Sequence, residues 1–373
     1  MSKKIFAGAM LAFLILCALL SVPQTAAQKN VTIVDSLGNE VEMPHPVERI
    51  ASLNPLAVEV ICALGGEDKL VGVDYFTKWN SEFNPTMRNK PLIGYPMGMP
   101  PNYEKIIDLN PQVVISFADP LFFYPYLEDM MRSAGIKVLR LDLYKPNTFA
   151  GEVSILGQTL GKEERAKDYI DFAQSYANEI EERVKDIPTE ERVKGYYEWI
   201  VPYFAFGEGT GPYQLITMAG GEDIFQKEGG QVVTFPGFTR EKCGAYSLIS
   251  PEWIVEQSPQ VMIKDYMDNR GYMMGGPKTV GYTSKPDVNP LKGTRNEIMN
   301  RHGFKEIDAV KNGNVHVFVI WELATSPRWS VGLGYMAKWC YPDKFKDLDP
   351  QAFHREWLKK WHGLEYKGVY AYP

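Results

Sequence analysis

Two stretches of short β-type runs alternating with helical segments are separated by about 40 residues, Asn147 to Ile187, in which the β signal stops. This alternation constrains the fold most, because strand–helix–strand units bury both faces of a parallel sheet beneath their crossovers. The first stretch carries RIASL, a helix through Leu56 to Leu64, LVGVD, PLIG, a helix near Tyr103 to Leu109, QVVISF, a helix near Tyr126 to Ala134, and IKVLRLD. Ahead of it, VTIVDSLGNEVEM alternates polar and apolar residues around Gly38-Asn39 and predicts a hairpin. The second stretch carries RVKGYYEWI, helices after Gly211-Pro212 and after Pro251, QVMIKD, a helix near Asn296 to Arg301, and VHVFVI. Helices over Val331 to Trp339 and Pro350 to Trp361 close the chain.

Within the middle segment Ala166, Tyr169, Ile170, Ala173, Ala177, Ile180 and Val184 keep helical spacing. Glu163 to Lys167 and Glu181 to Lys185 are expected i,i+4 pairs. Gly161 ends a first helix and Pro188 the second. A helix of some 24 residues spans roughly 36 Å, more than a crossover needs, and reads as a strut between two lobes. Asn102 to Ser116 also aligns without gaps on Ser250 to Lys264. A generic helix-to-strand turn is the plain alternative; the unbroken match favours a duplicated architecture.

A chain of 373 residues has room for two cores, and 40 Lys plus Arg against 46 Asp plus Glu argues against a nucleic-acid partner. Lys3 and Lys4, the apolar run Ile5 to Val22 and Thr25-Ala26-Ala27 form a signal peptide, so the protein is expected to be exported. Cleavage after Ala27 leaves 346 residues with 38 Lys plus Arg against 46 Asp plus Glu, a net charge of −8. An uncleaved leader acting as a membrane tether is the competing reading; no second run reaches the roughly 18 residues of a span. Leu14-Ile15-Leu16 before Cys17 is bulky where a lipid-modified cysteine needs small neighbours, so no lipoprotein is read. Four cysteines exclude a disulfide framework. Cys62, in VEVICAL, reads as a buried small hydrophobe, and a Cys243–Cys340 disulfide stays open.

No G-x-S-x-G, H-E-x-x-H, P-loop or Cys-x-x-Cys motif is present, and the five histidines, His45, His302, His316, His354 and His362, are scattered. Gly207 to Gly211 before a helix has the bareness of a phosphate loop without the rest of either fingerprint, and a plain loop is the simpler reading. Aromatic residues instead gather after the expected strands. Tyr75, Phe76 and Trp79 follow LVGVD, Tyr95 follows PLIG, and Phe117, Phe122, Phe123 and Tyr124 follow QVVIS. Tyr203, Phe204 and Phe206 follow the first strand of the second stretch, and Trp321 and Trp329 follow VHVFVI. Ligands of open α/β sheets bind beyond the carboxyl ends of strands, where rings offer flat contact area with few rotamers to freeze.

Taken in order, RIASLNPLAVEVICALGGEDKLVGVD, PNYEKIIDLNPQVVI, LGQTLGKEERA, AGGEDIF, SPEWIVEQSPQVMI, AVKNGNVHVF and SPRW resemble the substrate-binding proteins of ABC importers for iron-siderophore complexes, haem and cobalamin. The resemblance implies an α/β fold of two mainly parallel lobes joined by one long rigid helix, with the ligand cleft between the lobes. Its expected divisions are a signal peptide over 1–27, an N-terminal lobe over 28–145, a helical linker over 146–187 and a C-terminal lobe over 188–373. It implies no catalysis and no cofactor, the ligand being an iron- or cobalt-containing chelate. The implied partner is a membrane permease and ATPase complex, with the receptor a monomer.

Carried onto this sequence, the ligand-side positions are Asn54, Pro55, Phe76, Tyr95, Met97, Phe204, Tyr246, Trp321 and Arg328. Glu104 and Glu252, at matching places in the internal repeat, are the implied docking charges for the permease. The rival readings are an exported two-lobed hydrolase, against which the missing motifs argue, and a sensor domain using the same cleft.

Overall fold

The computed structural model describes residues 29–95, 99–118, 124–225, 232–233, 246–268 and 276–373. The leader, with Cys17, lies outside the described residues. The expected hairpin is formed by β1 (Lys29–Val34) antiparallel to β2 (Glu40–His45). The first sheet then comprises β3 (Ile50–Ser52), β4 (Leu70–Asp74), β5 (Leu92–Gly94), β6 (Val113–Ser116) and β7 (Lys137–Arg140). All run parallel, in the order β5-β4-β3-β6-β7. Helices α1 (Pro55–Ala63), α2 (Tyr75–Trp79), α3 (Tyr103–Asp108) and α4 (Leu127–Arg132) fall between these strands. Every residue of β3 and β6 is buried, as strands covered on both faces must be.

The connection between the sheets is α5 (Pro146–Leu160) followed by α6 (Glu163–Val184). Gly161 caps α5 at φ 66° and ψ 41°, a left-handed turn that costs glycine nothing. The buried residues of α6 are the seven that kept helical spacing in the sequence. Its surface pairs differ from the expected ones. Lys167 reaches Asp171 at 2.5 Å instead of Glu163, and Lys185 pairs with Glu182 instead of Glu181. Exposed pairs gain so little that whichever carboxylate is nearest takes the cation.

The second sheet is mixed. Its strands are β8 (Lys194–Glu198), β9 (Phe204–Phe206), β10 (Glu222–Asp223), β11 (Val232–Val233), β12 (Tyr246–Ile249), β13 (Val261–Tyr266), β14 (Val315–Val319) and β15 (Ala371–Tyr372). A parallel centre, β10, β8, β13 and β14, is flanked by antiparallel β9, β12 and β11 on one side and β15 on the other. Its helices are α7 (Gly211–Met218), α8 (Pro251–Gln257), α9 (Asn289–Met299), α10 (Asp308–Lys311), α11 (Trp329–Cys340) and α12 (Pro350–His362). α9 begins before the expected Asn296, because Pro290 is suited to a first turn, where its missing N–H is no loss.

The duplication holds in three dimensions. β6 lies beside β3 and β13 beside β8, both parallel, and each is preceded by a helix of the internal repeat. Asn102 caps α3 by accepting from the Lys105 N–H at 2.8 Å, and Ser250 caps α8 through the Trp253 N–H at 3.4 Å. Asn110 and Ser258, which align in the repeat, turn the chain at φ 44° and 45°.

Candidate functional site

The chain is most strained where the carboxyl ends of the two sheets meet. Among the described residues six non-glycines adopt positive φ, and two of them are the repeat turns at Asn110 and Ser258. The other four, Tyr124, Leu143, Tyr203 and Trp321, follow the carboxyl ends of β6, β7, β8 and β14. Such backbone persists only where its surroundings over-determine it, and it concentrates at functional sites.

Rings from both lobes converge there. Phe76, in the first turn of α2, meets Trp321 edge-on with centroids 4.7 Å apart, and Phe117, just past β6, lies 6.4 Å from Trp321. All three are buried. Trp79 tilts against Phe76 at 5.8 Å, and Tyr75 stacks on Tyr95 at 4.9 Å. Trp79, Tyr75 and Tyr95 are half-buried and form the rim.

One flank of this junction is polar. The Trp79 indole N–H donates to the Gly276 carbonyl at 3.0 Å, and Lys278 Nζ donates to Asn80 Oδ1 at 2.7 Å and to Glu322 Oε1 at 2.5 Å. Glu82 accepts from the Ser284 N–H at 2.8 Å and from Lys367 Nζ at 2.7 Å. Desolvation pushes Glu82 up, but the bonds from Lys367 and Ser284 outweigh it and hold the carboxyl below its ordinary range. Gly281 has φ 69°, and a Cβ there would stand 2.2 Å from Glu322 Oε1, so only glycine lets this segment lie against the carboxylate.

Beneath the clasp lies a buried charge network. Arg328 reaches Glu59 of α1 at 2.9 Å and Glu322 at 2.9 Å, and contacts His354 Nε2 at 3.1 Å. Burial pushes Glu59 up to about 7 against the pull of Arg328. Glu322 is also desolvated, but Lys278 and Arg328 together hold it below its usual range. His354 and His362 are driven down by burial and by Arg328, which leaves them neutral.

The positions expected to face a ligand therefore divide. Phe76, Tyr95 and Trp321 come together at the junction. Phe204 lies in β9 against Trp199, at 5.4 Å, in a strand where a loop was expected. Met97 and the Tyr246 side chain lie outside the described residues, as do Phe122 and Phe123. Asn54, Pro55 and Arg328 require correction as ligand contacts. The Asn54 amide is consumed as the cap of α1, accepting from Leu56 at 2.9 Å and donating to the Leu141 carbonyl at 2.7 Å. Pro55 is buried in the first turn of that helix, and Arg328 is wholly buried among its carboxylates. Trp329 belongs instead to the helical layer, 5.7 Å from Phe149 of α5.

Sequence reasoning missed Lys278, Glu82 and Glu59, whose partners lie far along the chain. Gly207 to Gly211 is the plain loop: Thr210 bonds back to Gly207 at 2.7 Å and caps α7. Cys62 and Cys340 are free thiols, each pushed up to about 12 by burial, and Cys243 lies outside the described residues. Glu104 and Glu252 are both exposed in the first turns of α3 and α8. The Ser250 hydroxyl donates to Glu252 at 2.6 Å and lowers its carboxyl below the ordinary range. No described helix is long and apolar enough to cross a membrane.

A family model described as "Periplasmic binding protein" matches residues 50–318. An uncharacterized ABC transporter substrate-binding lipoprotein of Bacillus subtilis is 25% identical over 320 residues, covering 85% of this chain and 87% of its own. A vitamin B12-binding protein of Vibrio cholerae is 25% identical over 187 residues, 49% of this chain and 62% of its own. Among solved structures, the molybdate-bound periplasmic binding protein of Haemophilus influenzae superposes with a TM-score of 0.69 at 16% identity, over 91% of this chain and 99% of its own, and shares the fold.

Proposed function

The chain belongs to the periplasmic binding protein family, and on that premise we propose that it captures a metal chelate between its lobes and delivers it to a membrane permease and ATPase complex. Members of this family are exported binding proteins and not enzymes. A ferric siderophore or related iron complex is the first choice of ligand, with a corrinoid or haem second. The observation that carries the reading is the meeting of Phe76 and Phe117 with Trp321 from the opposite lobe, at the carboxyl ends of both sheets. Flat ring surface shared by two lobes suits a bulky chelate. In the same reading Glu104 and Glu252 contact arginines of the permease, one from each lobe, the lobes being residues 28–145 and 188–373. The leader either is cleaved or stays as a tether.

Titrating the purified mature protein with ferric siderophores, haem and cobalamin, with tryptophan fluorescence and the visible band of each chelate as readouts, tests the ligand. Micromolar or tighter binding of at least one is expected, and binding of none would sink the proposal. The double variant Glu104→Ala/Glu252→Ala should keep chelate affinity while ligand-stimulated ATPase activity of the reconstituted transporter falls sharply. Unchanged stimulation would leave those carboxylates only their place at the positive ends of two helices.

A further inference from the structure

We infer that the chelate is uncharged or cationic overall, not an anion; this rests on the receptor reading above and concerns the same junction. The ground is the fate of the cations around it. Arg140, the last residue of β7, is wholly buried and gives its guanidinium to Glu128 at 2.7 and 2.9 Å and to the carbonyls of Phe117 and Tyr124. Lys145 lies 2.6 Å from Asp142. At the end of β8 one carboxylate, Glu198, binds both Arg301, at 2.7 and 2.8 Å, and Lys264, at 2.5 Å. Lys278, packed over the rings of Phe76 and Trp79, is bound to Glu322 and Asn80. Arg328 is held by Glu59 and Glu322.

Each of these cations would have to abandon a buried carboxylate to meet an anionic ligand, which strands that carboxylate without a partner. Burial also leaves little water to compensate the exchange. The buried polar group left over at this edge is an acid. Asp265, next to the last residue of β13, accepts from the Tyr197 hydroxyl at 2.7 Å, while its other oxygen is buried with no hydrogen-bond partner. Desolvation raises Asp265 to about 7. An orphaned carboxyl repels an anion when ionised and offers a hydrogen-bonding group to a neutral ligand when protonated. Aromatic faces, negative at their centres, add the same bias toward neutral or cationic guests.

The test measures dissociation constants of the mature protein for cyanocobalamin, which is neutral, ferrioxamine B, a cation, and three anions: haemin, ferric citrate and molybdate. One of the first two is expected to bind at least a hundredfold more tightly than any of the anions, with an affinity that added salt does not weaken. Tightest binding of an anion, with the steep salt dependence of a free cationic clamp, overturns the inference and leaves the receptor reading standing. Binding of none of the five overturns the receptor reading itself, and this inference with it.

Discussion

The two lobes are joined by two surfaces of opposite character. On one flank Glu82, Lys278, Glu322, Arg328 and Glu59 interlock through directed bonds between charged groups. Next to it, Phe76, Phe117 and Trp321 meet through ring edges alone. A buried charge cannot change partner without stranding the one it leaves, whereas ring faces exchange one apolar neighbour for another at small cost. The clasp is therefore the part of the junction that must stay as it is, and the rings are the part that can yield area to a ligand.

Breaking the clasp at its centre should have the largest effect on stability. Arg328→Met leaves Glu59 and Glu322 facing each other in the interior, and removing one member of a buried ion pair typically costs about 3–5 kcal/mol. Chemical denaturation should register that loss while the folded fraction keeps its affinity for the chelate. Weakened binding at unchanged stability would place Arg328 back on the ligand.

On the other side of the comparison, Trp321→Ala should weaken chelate binding by roughly 1–3 kcal/mol. Trp321 is only 7% exposed and packs on Phe76 and Phe117, so this variant should also lose stability. Tyr95→Ala separates the two roles, because that ring is half-buried at the rim. Affinity lost without a matching change in denaturation midpoint marks a contact surface; stability and affinity falling together mark packing.

The two surfaces also differ in how much of them could be read from the chain. Strand–helix alternation, the buried face of α6 and the repeat around Asn102 and Ser250 are local patterns, and they survived into the structure. Rings after strands were legible for the same reason: the carboxyl end of a strand is a position in the sequence. The clasp was not, since Ser284 bonds Glu82 across 202 residues and Arg328 meets Glu59 across 269. The SPRW motif drew attention to Arg328, but nothing local distinguishes a cation aimed at a ligand from one aimed at a buried carboxylate. Short β9, β12 and β15 escaped as well, because strands of two to four residues carry no period to detect.

A smaller effect should appear as pH is changed. Glu59 titrates near 7 in the folded protein against an ordinary 4.5, so the native state binds its proton more tightly than the unfolded chain. The resulting stabilisation is fully present below pH 4.5 and is lost as pH rises through 7. Relative to Glu59→Gln, which has no such proton, the wild type should lose about 1–3 kcal/mol between pH 4.5 and pH 8. Parallel stability profiles for the two proteins would show that Glu59 stays ionised throughout, held by Arg328 more strongly than burial opposes it.

The smallest expected change is in shape. α6 runs 22 residues, about 33 Å, and leaves no loop crossover to bend between the sheets. The clasp adds a second attachment at a distance from that helix, through Glu82 with Ser284 and Lys278 with Asn80. Two bodies tied at two separate places cannot rotate about either one alone, so ligand capture should proceed by rearrangement of rim side chains with the lobes nearly fixed. Small-angle scattering of the free and chelate-bound protein should then give the same radius of gyration within error. Glu82→Ala removes the outer bonds of the clasp and keeps α6, so any opening that the clasp restrains should appear in this variant as a larger radius without ligand that contracts on binding. Compaction of the wild type as large as that of Glu82→Ala would mean that the clasp opens in each cycle, and the distinction between a fixed polar flank and a yielding aromatic one would fail.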